Sequence, residues 1–109
     1  MIYAMGGAGD SDVTVDTVEV YDPQTDSWQR VASMPQGRRN HAAAAMCGKI
    51  YVTGGANQGA GLLSSVYVYD PQADAWTHLA GMGNARANHT SAAVSGKLYV
   101  FGGVGAEGG

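Results

Sequence analysis

Three histidines, one cysteine and nine acidic side chains are all this chain offers for acid–base, nucleophilic or metal chemistry. A structural or catalytic zinc site needs three or four converging His, Cys or carboxylate ligands. His41, His78 and His89 are dispersed, and Cys47 alone makes neither an internal disulfide nor a multi-cysteine site, so no metal or other cofactor is expected. The run GVGAEG at 103–108 has GxGxxG spacing, but a dinucleotide fingerprint needs a helix opening on those glycines inside a βαβ unit, and one residue follows here. Asn88-His89-Thr90 reads as a glycosylation sequon, relevant only in a secreted protein. Its counterpart ends in Ala42, which favours coincidence.

The spacing of these groups explains them better than any reaction does. His41 and His89, Arg38 and Arg86, Asp22 and Asp70, and Asp26 and Asp74 are all 48 residues apart. So are the apolar stretches MIYAMGG, KIYVTGG and KLYVFGG, which begin at Met1, Lys49 and Lys97. Aligned without a gap, residues 1–48 and 49–96 are identical at 21 positions, so the chain is an internal repeat. Titratable side chains that recur in register belong to the scaffold. The loop after Gly7 is where the copies diverge: it carries Asp10, Asp12 and Asp16, whereas its counterpart ANQGAGLLSS is uncharged.

Each period reads as four short strands, at 41–47, 49–53, 64–69 and 75–79 in the middle copy. Gly48 separates the first pair, and DPQAD separates the last. Asp followed by Pro is a turn with a mechanism, since the carboxylate caps local N–H groups and proline pre-sets φ. Alanine propensity favours a helix for HAAAAMC, but its counterpart HTSAAVS and the short span before Gly48 favour a thin strand. Cys47, replaced by Ser95 in the next copy, reads as a small inner-strand filler.

Four-stranded antiparallel units of this length stack as propeller blades. The chain resembles the kelch repeat, with Arg38 and His41 before the inner strand, Gly54-Gly55 after the second, Tyr69-Asp70-Pro71 at the turn, then Trp76 and Met82. The preceding copy supplies Gly6-Gly7, Tyr21-Asp22-Pro23, Trp28 and Met34, and the following one Arg86, His89 and Gly102-Gly103. The resemblance implies an all-β fold of four-stranded antiparallel blades, a kelch-type β-propeller incomplete in one chain. Residues 2–30 form a blade lacking its first strand, 38–83 a complete blade, and 86–103 the first two strands of a third. Arg38 and Arg86 are expected to tie neighbouring strands together by hydrogen bonds.

The resemblance implies a non-enzymatic protein-interaction module binding through loops on one face. Carried over by position, Arg39, Asn40, Ala87 and Asn88 lie nearest the mouth, joined by Asp10, Asp12, Asn57 and Gln58 from the loops after Gly-Gly. The alternatives are a piece of a sugar-handling kelch enzyme, mutarotase-like or galactose oxidase-like, and a purely structural repeat. The expected partner is a protein or peptide, with self-association to complete the blades. In that assembly strand 89–95 of one chain completes the blade begun by residues 2–28 of another, and three chains make six blades. The duplicated segments 1–7 and 97–103 then compete for one strand position. A net charge of −3 without clustered Lys and Arg gives no hint of a nucleic-acid footprint, so no nucleic-acid partner is expected, and no apolar run approaches the roughly 18 residues of a membrane span. One cysteine and no visible signal peptide favour the cytoplasm over secretion.

Overall fold

The computed structural model describes residues 2–7 and 14–105. All regular elements among them are strands. β1 (Ile2–Met5), β2 (Val18–Asp22) and β3 (Ser27–Val31) form a three-stranded antiparallel sheet in that order. Next come β4 (Ala42–Met46), β5 (Lys49–Thr53), β6 (Ala56–Asn57), β7 (Gly61–Leu62), β8 (Val66–Asp70) and β9 (Ala75–Leu79). Of these, β4-β5-β8-β9 make a four-stranded antiparallel sheet, and β6 pairs with β7 in a small separate hairpin. β10 (Arg86–Ala87), β11 (Thr90–Val94), β12 (Lys97–Phe101) and β13 (Val104–Gly105) complete the order. β11 pairs with β12 and β10 with β13. These are the antiparallel blades of a propeller, with one full four-stranded sheet among the described residues.

Local chemistry sets the corners. Asp22 Oδ1 accepts the Gln24 N–H at 2.9 Å and Asp70 Oδ1 the Gln72 N–H at 3.0 Å, so both Asp-Pro turns are closed by their own carboxylate. The β4–β5 and β11–β12 links are two-residue turns with both residues at positive φ, Cys47 (54°) with Gly48 (75°) and Ser95 (50°) with Gly96 (76°). That is the primed geometry that matches strand twist. Cys47 is therefore an exposed turn residue rather than an inner-strand filler, and strand one ends at Met46. The alanine run is strand β4, whose register with β5 pairs Ala42 with Thr53 and Met46 with Lys49. Pairing with β5 along its whole length outweighs alanine's helical preference.

The core lies between the first two sheets. Val18, Met34 and Val52 are buried together, with Tyr3, Met5, Val31, Ile50 and Trp76 packed around them. Trp76 Nε1 donates to the carbonyl of Ala32 at 3.0 Å, and Asp74 Oδ1 accepts the Ala32 N–H at 2.9 Å. The Tyr69 hydroxyl donates to the same carboxylate at 2.7 Å. The Ala32 N–H, then the Tyr69 hydroxyl, hold Asp74 below the usual carboxylate value. One Trp-Asp-Tyr group thus fastens the middle sheet to the linker leaving the first.

Candidate functional site

The site begins with the glycine pairs that end each second strand. Gly54 has a φ of 56°, and a Cβ there would lie 2.5 Å from the Arg86 carbonyl oxygen, so only glycine allows this approach. Gly6 is its counterpart, with the Arg38 carbonyl at 2.7 Å. Gly7 N–H donates to the Arg38 carbonyl at 2.7 Å and Gly55 N–H to that of Arg86 at 2.8 Å. Each glycine pair is thereby sewn to the segment entering the next sheet. The described Gly102 has open space around its missing side chain, while a Cβ on Gly103 would meet the Ala87 carbonyl at 2.5 Å.

Arg38 is fully buried. Its Nη1 donates to the Gly54 carbonyl at 2.9 Å, its Nη2 to Ser65 Oγ at 3.1 Å, and the guanidinium lies 5.2 Å from the Tyr67 ring centroid. Burial pulls its pKa down, with Tyr67 opposing. Arg86 makes the equivalent bond to the Gly102 carbonyl at 3.3 Å, in an exposed setting. His89 is buried, its Nε2 hydrogen-bonded to Thr53 Oγ1 at 2.8 Å, which also contacts Ser91 Oγ at 2.8 Å. Burial lowers the pKa of both His41 and His89; the charges of Arg38 and His89 add to this at His41, and that of Arg86 at His89. In both, Nδ1 is buried without a hydrogen-bond partner, which favours the neutral ring.

Around this frame runs a rim of amides. Arg39 and Ala56 exchange two backbone bonds of 2.9 and 2.8 Å, and Ala87 pairs with Val104 in the same way one repeat later. Asn40 and Asn88 both take left-handed φ values (54° and 56°), a conformation that asparagine tolerates, and the Asn88 N–H donates to the Asn40 carbonyl at 2.8 Å. Segments 39–40, 56–58 and 87–88 therefore share one edge of the fold. Asn40, Asn88 and Gln58 are exposed there and Arg39 half-buried. Asp10 and Asp12 lie outside the described residues.

Asn57 is engaged in the scaffold. Its Nδ2 donates to the Gly37 carbonyl at 2.7 Å, while Oδ1 accepts the N–H groups of Gly59 (2.9 Å) and Ala60 (3.0 Å). This side-chain turn folds the 56–62 loop into the β6–β7 hairpin, where the repeat pattern reads only as a loop. Asn57 and the glycines at 59 and 61 were the available signal. One repeat later Gly105 stands where Asn57 does, and a cleft of about 240 Å³ opens between Asn84, Arg86, Gly102 and Gly105. Among the described residues no group of three or more His, Cys, Asp or Glu side chains is placed to hold a metal ion.

A family model, the KLHDC2/KLHL20/DRC7 Kelch-repeats domain, matches residues 1–109. No curated protein matches the chain.

Proposed function

Because the chain belongs to the kelch-repeat family, we propose that it is a non-enzymatic protein-interaction module that binds through one face. That face is the edge carrying Arg39, Asn40, Gln58 and Asn88. The observation that carries this reading is the Asn88-to-Asn40 backbone bond together with the Arg39–Ala56 bridge. They align three segments so that three amide side chains are exposed beside one half-buried guanidinium. Such a rim suits an extended peptide bearing carboxylate or amide groups, since each amide both donates and accepts. Binding residues on loops held by a rigid scaffold are the usual arrangement.

A non-enzymatic role fits how the reactive groups are used. The Arg38 guanidinium is tied to the Gly54 carbonyl and Ser65, and burial favours the neutral form of the His89 ring, which is bonded to Thr53. Self-association belongs to the same proposal: among the described residues the sheets β1-β2-β3 and β11-β12 have fewer strands than the four-stranded one, and another copy could supply the strands that extend them.

The test keeps the backbone and removes the amides. Glycine accepts the left-handed φ at both asparagine positions, so Asn40→Gly, Asn88→Gly and Gln58→Ala in one variant should melt within a few degrees of the parent. Peptides selected from a displayed library on the parent should bind this variant at least about tenfold more weakly, the loss of roughly one good interfacial contact. Equal binding would place the interaction surface elsewhere.

A further inference from the structure

A groove of about 300 Å³ lies beside the full sheet, lined by Leu79, Ala80, Met82, Leu98 and Val100 with Thr53 at its end. Moved back by one repeat, these positions are Val31, Ala32, Met34, Ile50, Val52 and Met5. Those residues surround Trp76 in the core between the first two sheets. The groove is therefore a second copy of that core without its indole. The chain also carries an indole without its groove. Trp28, the counterpart of Trp76, is 53% exposed, although it keeps the same Tyr21 partner at 5.2 Å and the same Tyr21-to-Asp26 hydrogen bond of 2.6 Å.

We propose that two copies of this chain dock head to tail, with Trp28 of the second copy entering the groove of the first. This rests on the self-association proposed above and specifies its geometry. Indole Nε1 donates to the Ala80 carbonyl and the Asp26 carboxylate accepts the Ala80 N–H, repeating the two bonds that Trp76 and Asp74 make to Ala32. An amphipathic ring with one donor suits such a site.

The strand register follows from the same template. β12 is paired only with β11 among the described residues, so one of its edges is open. In the full sheet the equivalent edge of β5 pairs with β8, matching Ile50 with Tyr69 and Val52 with Tyr67. β2 of the second copy adds to β12 in that register, matching Leu98 with Tyr21 and Val100 with Glu19. β1 must then leave β2. Its four residue pairings with β2 are replaced by four with β12, so backbone hydrogen bonding is conserved. β12 is the copy that stays, because β11 holds it through five residue pairings that the exchange leaves intact, whereas among the described residues the strand pairing of β1 is with β2, the partner it gives up.

The exchange replaces the apolar burial that β1 gives up and adds that of Trp28. Tyr99 and Phe101, 46% and 54% exposed, take the places of Tyr3 and Met5. In the isolated chain Tyr3 stands against Tyr69 with ring centroids 6.0 Å apart. Replacement of a strand by its repeat mate from another copy, with the backbone pairing kept, is close in its energetics to domain swapping. A head-to-tail contact of this kind repeats from copy to copy, closing into a ring when the rotation allows.

Two measurements test the proposal. In sedimentation velocity the chain should form oligomers with rising concentration, and Trp28→Ala should weaken association by about 30-fold or more, as expected for a buried interfacial indole. In a Cys47→Ser background, Glu19→Cys with Val100→Cys should give covalent oligomers on oxidation, because within one chain Glu19 pairs with Ala4 and Arg30. Oligomers that persist in Trp28→Ala and give no cross-link would overturn this docking while leaving self-association standing. A chain that stays monomeric up to millimolar concentration would overturn both.

Discussion

Trp28 and Trp76 stand in the same motif and do different work. Each ring lies against its tyrosine, at 5.2 Å for Tyr21–Trp28 and 5.1 Å for Tyr69–Trp76, and each tyrosine hydroxyl reaches an aspartate five residues on. What differs is the neighbour. Trp76 faces the first sheet, where it packs with Val18 of that sheet, Met34 of the linker leaving it and Val52 of its own sheet, and Ala32 offers a carbonyl. Trp28 meets no such surface among the described residues. Tyr69 is 1% exposed, while Tyr21 is half-buried. The arginine pair behaves alike: Arg38 is buried and bonded to Gly54 and Ser65, and Arg86 keeps a long bond of 3.3 Å to Gly102. A repeat sets which side chain is presented; the adjoining sheet sets what that side chain is worth.

The largest test of this contrast is the indole pair itself. Trp76→Ala should destabilise the fold by about 3 kcal/mol, since it opens the inter-sheet core and strands the Ala32 carbonyl. Trp28→Ala, read at a concentration where the chain is monomeric, should cost about 0.5 kcal/mol or less. Urea unfolding of the two variants measures the gap, and equal losses would break the comparison.

The glycines give a smaller effect. Gly54→Ala forces a Cβ against the Arg86 carbonyl in a left-handed backbone and should cost about 2 kcal/mol or more. At Gly102, with φ 63° but open space, the same change meets only the conformational penalty of about 1 kcal/mol. Similar urea midpoints for the two would show that the close approach at Gly54 relaxes freely.

The smallest effect is pH-dependent. His41 and His89 have folded-state pKa values below the ordinary 6.5, chiefly through burial. As pH falls through 6.5 the unfolded chain takes up protons before the folded one, so stability present above that value is progressively lost. Urea midpoints measured from about pH 7.5 down to about pH 5 should decline, and a His41→Gln, His89→Gln double variant should flatten the slope. A flat profile in the parent would mean that both rings protonate as readily folded as unfolded.

Much of the fold was legible because its instructions are local. Tyr-Asp-Pro closes its turn within two residues, and strand alternation is read along the chain itself. The candidate site was legible only in part. Asn40 and Asn88 share an edge with Gln58, but the side-chain bonds of Asn57 to Gly37, Gly59 and Ala60 were invisible to position alone. Cys47 likewise looked like a strand residue until the turn geometry of 47–48 placed it outside.

The amino-acid sequence by itself determined the 48-residue period, the four long strands of each copy and the Asp-Pro corners, because those rest on interactions spanning a few residues. Only the tertiary structure decided which member of each repeated pair is buried. Trp76 reaches across 44 positions to Ala32 in the linker leaving the first sheet, and Arg38 reaches across 27 to Ser65 at the entry to β8, and such bonds exist only where the chain brings the distant segment alongside. The repeated residues are chemically identical, so the difference between them is carried by their surroundings.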